Sequence, residues 1–387
     1  MTEFHTRNLL FYPDVWDEED PTRYKPGGYH PIVLGDILYS PFGTSSYRIF
    51  QKLGSGSFST VWLAENTSSQ PKYVAVKVTT ADGMSSGEAD DLRSISSPYI
   101  VPVVDSFSLE GPNGLHHVLV IEVLVPVFEF LKLPHNLGTR RRIIWELVKA
   151  VEDVHAAGLV HGDLHVGNAG VTLPQLQSLN IFAVALHSND PVLIPILFSN
   201  TPKRTDSLPA YLTRRCDVKN LLKKSTKGGE YESRAKLFDF GSVRRQGDDS
   251  KDFMCTRLSR APEIVCELEA DEDSNPLLRP ASDIWALGTV IFEIMTEFPV
   301  FSSLYSPEFM RLSEDEWWRE RWDYLRRNCF DDADCDTLVT LLKKILVIEP
   351  SDRPSAATIA QDDWFYEIRT AHSNAPPRPL PPVQDTQ

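Results

Sequence analysis

The chain has 387 residues, 42% of them apolar, and carries 54 Asp and Glu against 39 Lys and Arg, a formal net charge of −15 at pH 7. That balance repels phosphate backbones and argues against a general nucleic-acid binder, while it suits a basic partner. No stretch approaches the roughly 20 apolar residues of a bilayer-spanning helix. Cys216, Cys255, Cys266, Cys329 and Cys335 form no CxxC pair, so neither zinc nor a disulfide framework is indicated and a reducing compartment is expected.

The first residues, MTEFHTRNLLFYPDVWDEED, lack the basic start and apolar run of a signal peptide. Residues 1–46 are polar, with an acidic run at residues 17–20 and short apolar patches in GGYHPIVLGD (27–36) that could pack on a domain surface. From Tyr47 the pattern changes to strand, glycine turn, strand, turn, strand: YRIFQKL, GSGSFSTVWLAEN, KYVAVKV. Gly54 and Gly56 permit a tight turn that brings backbone N–H groups near phosphates. Lys77 sits among valines on the third strand and needs a reason to be there. Residues 86–97 read as a short helix ended by Pro98, with Glu88 on the same stripe as Leu92 and Ile95. An acid on that stripe wants a cation, and Lys77 is the natural candidate. Two more strands follow, YIVPVVDSF and HHVLVIEVL.

Residues 139–158 predict an amphipathic helix stopped by Gly158. Directly after it comes LVHGDLHVGN (159–168). Asp163 and Asn168 are five residues apart, a spacing that suits a loop with two polar tips pointing the same way. One carboxylate can orient a hydroxyl nucleophile while a side-chain carbonyl holds Mg²⁺, the pattern H-x-D-x-x-x-x-N of a phosphotransferase loop. Residues 171–235 contain several prolines and little periodicity and read as an insertion. KLFDFGSV places Asp239 at the end of an apolar strand, 244–260 reads as a loop, and Ala261-Pro262-Glu263 opens a short helix. Residues 282–296 predict a core helix, 313–328 and 336–348 further helices, and 355–368 the last helix. The tail APPRPLPPVQDTQ is Pro-rich and expected to be extended or disordered.

GSGSFSTV, VAVK, a helix acid, HGDLHVGN, DFG, APE and DIWALG occur in this order across about 300 residues. In that order and context the chain resembles the eukaryotic protein kinases over roughly residues 47–370. The resemblance implies an α+β fold with a small β-rich N-lobe (47–125, with the hinge), a mainly helical C-lobe (126–370, with the insert 171–235), an N-terminal extension (1–46) packed on the domain, and a disordered tail (371–387). It implies ATP and Mg²⁺ as cofactors. Leu53, Gly54, Ser55, Gly56 and Ser57 would cover the nucleotide, with the turn reaching Ser59. Val61 and Ala75 would pack on adenine. Lys77 would bind phosphates and pair with Glu88. Residues 122–124, including Glu122 and Leu124, would form the hinge behind the gatekeeper Ile121. Asp163 would be the catalytic base, and Asn168 and Asp239 the Mg²⁺ ligands. Asp283 would brace the catalytic loop, and Glu263 would pair with Arg353.

DPTRYKPGGYHPIVLGD, YRIFQKLGSGSFSTVWLAEN and DSFSLEGPNGLHHVLVIEVL are similar to the SR-protein kinases, which phosphorylate Arg/Ser-rich splicing factors. TRLSRAPE (256–263) is similar to the TRxYRAPE of the wider group that contains them. That resemblance implies a Ser/Thr kinase acting on a basic protein substrate docked on an acidic C-lobe surface, SEDEWW (313–318) and DDADCD (331–336). A monomer without direct nucleic-acid or membrane contact, in the cytoplasm or nucleus, is expected. KNLLKKSTK (219–227) reads as a solvated helix or loop and not a targeting signal. Three departures matter. Gly162 replaces the arginine that answers a phosphorylated activation loop, so constitutive activity is expected. His165 replaces a lysine that contacts the transferring phosphate, as in small-molecule phosphotransferases. Gly170 replaces a leucine beneath the adenine and implies a looser floor. A scaffold pseudokinase and a small-molecule kinase are the alternatives; the APE and DIWALG motifs, which build a peptide platform, argue against the latter.

Overall fold

The computed structural model describes residues 9–10, 18–41, 45–68, 70–83, 87–133, 135–188, 190–198, 206–218, 220–222, 233–248, 255–301, 311 and 313–373. The Pro-rich tail beyond residue 373 and most of the basic stretch 219–227 lie outside them. The small lobe is a six-stranded antiparallel sheet of β1 (Ile37–Tyr39), β2 (Ser46–Gly56), β3 (Ser59–Asn66), β4 (Tyr73–Thr79), β5 (Val103–Gly111) and β6 (Gly114–Ile121), in the order β1-β2-β3-β4-β6-β5. Alternation along the strands sends Leu63, Tyr73, Ala75, Leu119 and Ile121 to the main core. Their neighbours Trp62, Val74, Val76, Val118 and Val120 go to a second core on the opposite face, which Ile32 and Leu38 of the N-terminal extension close. The extension therefore does more than pack on the sheet: Ile37–Tyr39 adds an edge strand, pairing with Ser46–Arg48.

Helix α1 (Glu88–Ser94) packs behind the sheet with Glu88 and Leu92 buried. Beyond β7 (Leu124–Pro126) the large lobe is mainly helical. Helix α2 (Leu137–Ala156) starts where the Asn136 side chain accepts from the Thr139 amide at 2.9 Å. After it come β8 (Leu159–Val160) and β9 (Ala169–Thr172); β9 lies between β7 and a later strand, β12 (Ala235–Leu237). The C-terminal half holds α4 (Pro262–Ala270), the core helix α5 (Pro280–Thr296), α6 (Asp315–Arg326) and α7 (Asp332–Ile345). Two expectations need correction. The region read as a loop from residue 244 begins with the short strand β13 (Arg244–Arg245), paired with β8. The last helix divides into α8 (Ala356–Ala360) and α9 (Tyr366–Ser373), because the Asp362 side chain accepts from the Trp364 amide at 3.1 Å and caps a new start.

The insert enters and leaves through a closed neck: the Thr172 amide donates to the Arg234 carbonyl, and the Arg234 amide to the Thr172 hydroxyl, both at 2.9 Å. Within it are α3 (Ile181–His187), capped by Asn180, and the antiparallel pair β10 (Leu193–Pro195) and β11 (Tyr211–Thr213). The insert leans on the small lobe. The Gln177 amide exchanges two hydrogen bonds with the Tyr73 main chain (3.0 and 2.8 Å), and the Leu34 amide donates to the Tyr211 hydroxyl at 3.2 Å. Lys52 on β2 is wholly buried and joins three parts of the chain. Its ammonium donates to Glu18 at 2.7 Å and to Glu19; Glu18 also accepts from the Arg215 amide of the insert at 3.0 Å, and Glu19 from the Tyr24 hydroxyl at 2.8 Å.

Candidate active site

Where the sheet meets the helical lobe lies a cleft of about 520 Å³, within the usual size of a small-molecule site. Leu53, Gly54, Ser55 and Gly56 line it from the β2 end, Val61 and Ala75 from the sheet face, and Glu122 and Leu124 from the connection between the lobes. Ser57 is exposed at the tip and is not part of the lining. The Glu122 carboxylate accepts from Lys236 at 2.9 Å, which leaves the main chain of residues 122–124 as the part that can face a base.

Toward the back of the cleft the Lys77 ammonium donates to both Glu88 oxygens at 2.8 Å and to Asp239 Oδ1 at 2.7 Å. Burial alone would lower the Lys77 pKa; the Asp239 and Glu88 carboxylates outweigh it and hold it above its ordinary value. Lys77 in turn holds the Asp239 carboxyl below the usual range. Glu88 also accepts from the Phe240 amide at 3.0 Å, so α1 is tied to the strand exit that carries Asp239. Phe240 is buried edge-on to the His161 ring at 5.1 Å. Asp239 has φ +62°, a left-handed conformation that is uncommon for aspartate and cheaper for it than for most side chains.

Asp283 on α5 holds the loop after β8, the expected catalytic loop, from below. Its carboxylate accepts from the His161 amide (2.8 Å), the Gly162 amide (3.0 Å) and His155 Nε2 (2.9 Å). Burial alone would raise its pKa, but those donors hold it below the ordinary value. Gly162 has φ +81°, and a Cβ there would stand 2.8 Å from Leu278 Cδ1 and 3.0 Å from the Ser242 carbonyl. Asn168 Nδ2 donates to the Asp163 carbonyl at 2.9 Å, which fixes the side chain and turns its own oxygen away. Asp163 Oδ1 accepts from the Thr256 amide at 2.6 Å, and His165 Nε2 lies 3.7 Å from Asp163 Oδ2. Burial lowers the His165 pKa despite that carboxylate, so the ring is neutral at pH 7. Glu263 and Arg353 form the expected bidentate pair at 2.8 and 2.7 Å.

Among the described residues no group of three or more His, Cys, Asp and Glu could hold a metal. The Asn168 carbonyl and the Asp239 carboxylate are hard oxygen donors side by side at the ends of the paired strands β9 and β12, and Mg²⁺ uses one or two protein oxygens together with substrate phosphates. The donor set fits that ion.

Sequence reasoning missed two walls. A Cβ on Gly170 would lie 2.8 Å from Leu124 Cβ and 3.2 Å from Phe238 Cε1, and Phe238 lines the cleft. The opening expected at Gly170 is thus closed by Leu124 together with the Phe238 ring; the only sequence signal for Phe238 is its place directly before Asp239. The second wall is Arg215–Val218. The Cys216 amide donates to the Lys52 carbonyl at 2.7 Å, Val218 is buried in the main core, and all four residues line the cleft. Burial pushes the Cys216 thiol up to about 12. No motif announced that the insert returns to the cleft. Most acids of the expected docking surface are already engaged: Asp315 by Lys343, Asp332 by Arg326, Asp334 by Arg141 and Trp364, and Asp336 by Trp322.

The family described as "Protein kinase domain" matches residues 47–172 and 216–365, omitting most of the insert. A serine/threonine-protein kinase SRPK of Physarum polycephalum is 29% identical over 311 residues, 73% of this chain and 67% of the relative. A serine/threonine-protein kinase spk-1 of Caenorhabditis briggsae is 31% identical over 178 residues, 41% of this chain and 15% of the relative. The human SRSF protein kinase 3 is 36% identical over 127 residues, 30% of this chain and 21% of the relative. The matches thus span only a small part of the spk-1 relatives, 15% and 17% of their lengths. No helix among the described residues is long and apolar enough to cross a membrane.

Proposed function

Because the chain belongs to the protein kinase family, we propose that it transfers the γ-phosphate of ATP to Ser or Thr hydroxyls of a basic, Arg/Ser-rich protein. The observation that carries this reading is the joining of Lys77, Glu88 and Asp239, from three separate elements, in a cleft also lined by Asn168, whose side chain donates to the Asp163 carbonyl. Mg-ATP supplies the transferable phosphoryl group and the charge-neutralising cation. With Mg-ATP bound, the β2–β3 turn would offer backbone N–H groups to the phosphates, Lys77 would add a positive charge there, and Asn168 and Asp239 would hold the metal. Asp163 Oδ2 accepts the substrate hydroxyl proton as the new O–P bond forms and the β–γ bridge breaks, and ADP leaves. Phosphoryl transfer needs positioning and charge neutralisation more than covalent help, and the loop bonds to Asp283 supply the positioning.

The substrate class rests on the relatives named SRPK and SRSF protein kinase and on the net charge of −15. The acidic docking face is part of the same reading and draws on the acids of α6 and α7. So are the division into extension, lobes and insert, action as a monomer, and residence in the cytoplasm or nucleus. Gly162 leaves no arginine to answer a phosphorylated activation loop, so activity is expected to survive phosphatase treatment. The test is incubation of the full chain with Mg-ATP and an Arg/Ser-repeat peptide beside an Asp163→Asn control. Phosphate incorporated into serine by the former alone is the expected result. ATP binding without turnover on that peptide, other basic peptides or the chain itself would instead indicate a binding protein.

A further inference from the structure

The tip of the β2–β3 turn is held from outside the cleft. The Tyr29 hydroxyl donates to the Gly56 carbonyl at 2.8 Å, and Arg23 Nη1 donates to the Ser57 carbonyl. The Arg23 guanidinium lies over the Tyr29 ring at 5.0 Å and 5.6 Å from the Phe58 ring, and it pairs with Asp82 at 3.4 Å. Neither Arg23 nor Tyr29 lines the cleft. Both are braced on the rest of the small lobe. The Gly27 amide donates to the Asn113 carbonyl (2.8 Å), Asn113 Nδ2 to the Tyr29 carbonyl (2.6 Å), and the Asp82 amide to the Gly27 carbonyl (2.7 Å). Gly28 makes the bend possible: a Cβ there would stand 1.6 Å from the Arg23 carbonyl.

A trans peptide points its C=O and its N–H in opposite directions. Fixing the Gly56 and Ser57 carbonyls toward the extension therefore fixes the Ser57 and Phe58 N–H groups away from it. In the reading given above, the glycine turn is the part that must present N–H groups to phosphate. At Gly54 and Gly56 an added Cβ would meet nothing within 4 Å, so the turn has no side-chain packing of its own to set its shape there.

We propose that Tyr29 and Arg23 are positioning residues for the nucleotide triphosphate: they hold the phosphate-binding turn in its donor-presenting conformation before nucleotide arrives. This inference rests on the kinase reading. The turn is then ordered at the expense of folding, and ATP loses less affinity to ordering it.

The test uses the full chain and titrates ATP and adenosine separately, both with Mg²⁺, against wild type, Tyr29→Phe, Arg23→Gln and Arg23→Lys. Adenosine has no phosphates, so a defect confined to the turn spares it. Tyr29→Phe and Arg23→Gln are each expected to weaken ATP roughly five- to tenfold, the loss of one hydrogen bond to an ordered carbonyl, with adenosine affinity unchanged and the thermal midpoint lowered by no more than about 2 °C. Arg23→Lys keeps the charge and a donor and recovers part of the loss. Unchanged ATP affinity, or equal losses for ATP and adenosine, overturns the inference while leaving the kinase reading intact. ATP binding by wild type without phosphate transfer overturns the kinase reading, and the affinities still decide the inference. Failure of wild type to bind ATP overturns both.

Discussion

Replacing Lys52 with methionine isolates the buried junction of the small lobe. Lys52 is fully buried, and the side chains of Glu18 and Glu19 are 1% exposed. In Lys52→Met the two carboxylates keep, among the described residues, the Arg215 amide and the Tyr24 hydroxyl as donors. Breaking a buried pair by removing one partner costs about 3–5 kcal/mol, because the remaining charge stays desolvated. For a domain of this size that is a fall of roughly 4–7 °C in thermal midpoint. Removing the charges together is different: Lys52→Met/Glu18→Gln/Glu19→Gln keeps an acceptor for each remaining donor and is expected within about 1–2 kcal/mol of wild type. Denaturant unfolding followed by tryptophan fluorescence measures all forms, and the cycle gives the coupling. A single-variant cost below about 1 kcal/mol, or a triple variant as unstable as the sum of its parts, would refute the reasoning. Because the Lys52 carbonyl also holds Cys216 at the cleft, the single variant should weaken nucleotide binding as well.

Asp283→Asn offers one acceptor oxygen and turns an amide toward a backbone donor. It is expected to lower kcat about 100-fold through the displaced catalytic loop while ATP affinity stays within a few-fold, read from the split between kcat and binding. His165→Lys restores a permanent cation beside Asp163 and should raise kcat about tenfold without changing ATP affinity; a slower enzyme would show that the neutral ring is required. Stability should depend on His30, whose pKa burial and the neighbouring His116 lower from 6.5 to about 4. The fold favours the neutral ring, so this contribution is complete above pH 6.5 and is lost as pH falls toward 4. Between pH 7.5 and 5 it amounts to about 2 kcal/mol. His30→Gln should flatten the pH dependence of the unfolding midpoint by that amount, and parallel curves would sink the assignment.

The parts legible in the sequence are those where a short motif has to adopt one local shape. VAVK had to be a strand with Lys77 on its cleft side, and an acid on the stripe of Leu92 and Ile95 had to meet a cation. Asp163 and Asn168 had to share one loop. Features that depend on distant chain returning to a site were not legible. Nothing in TRRCDV (213–218) marks it as a cleft wall, since its place is set by Lys52 and Glu18, more than 150 residues away. Ile37–Tyr39 is too short for periodicity to announce a strand. The break at Asp362 was lost because alanines and isoleucine on either side suit one continuous helix, and a single side-chain bond decided otherwise.

The closed neck at Thr172 and Arg234 has a bearing on how this chain can change over time. A loop whose ends already meet pays for added length only logarithmically, about 2 kcal/mol for a tenfold extension. New segments can therefore accumulate between β9 and β12 with little penalty, and later acquire contacts of their own. The same neck that tolerates length also delivers Arg215–Val218 to the cleft, so an ornament of the fold has become a part that cannot be trimmed away.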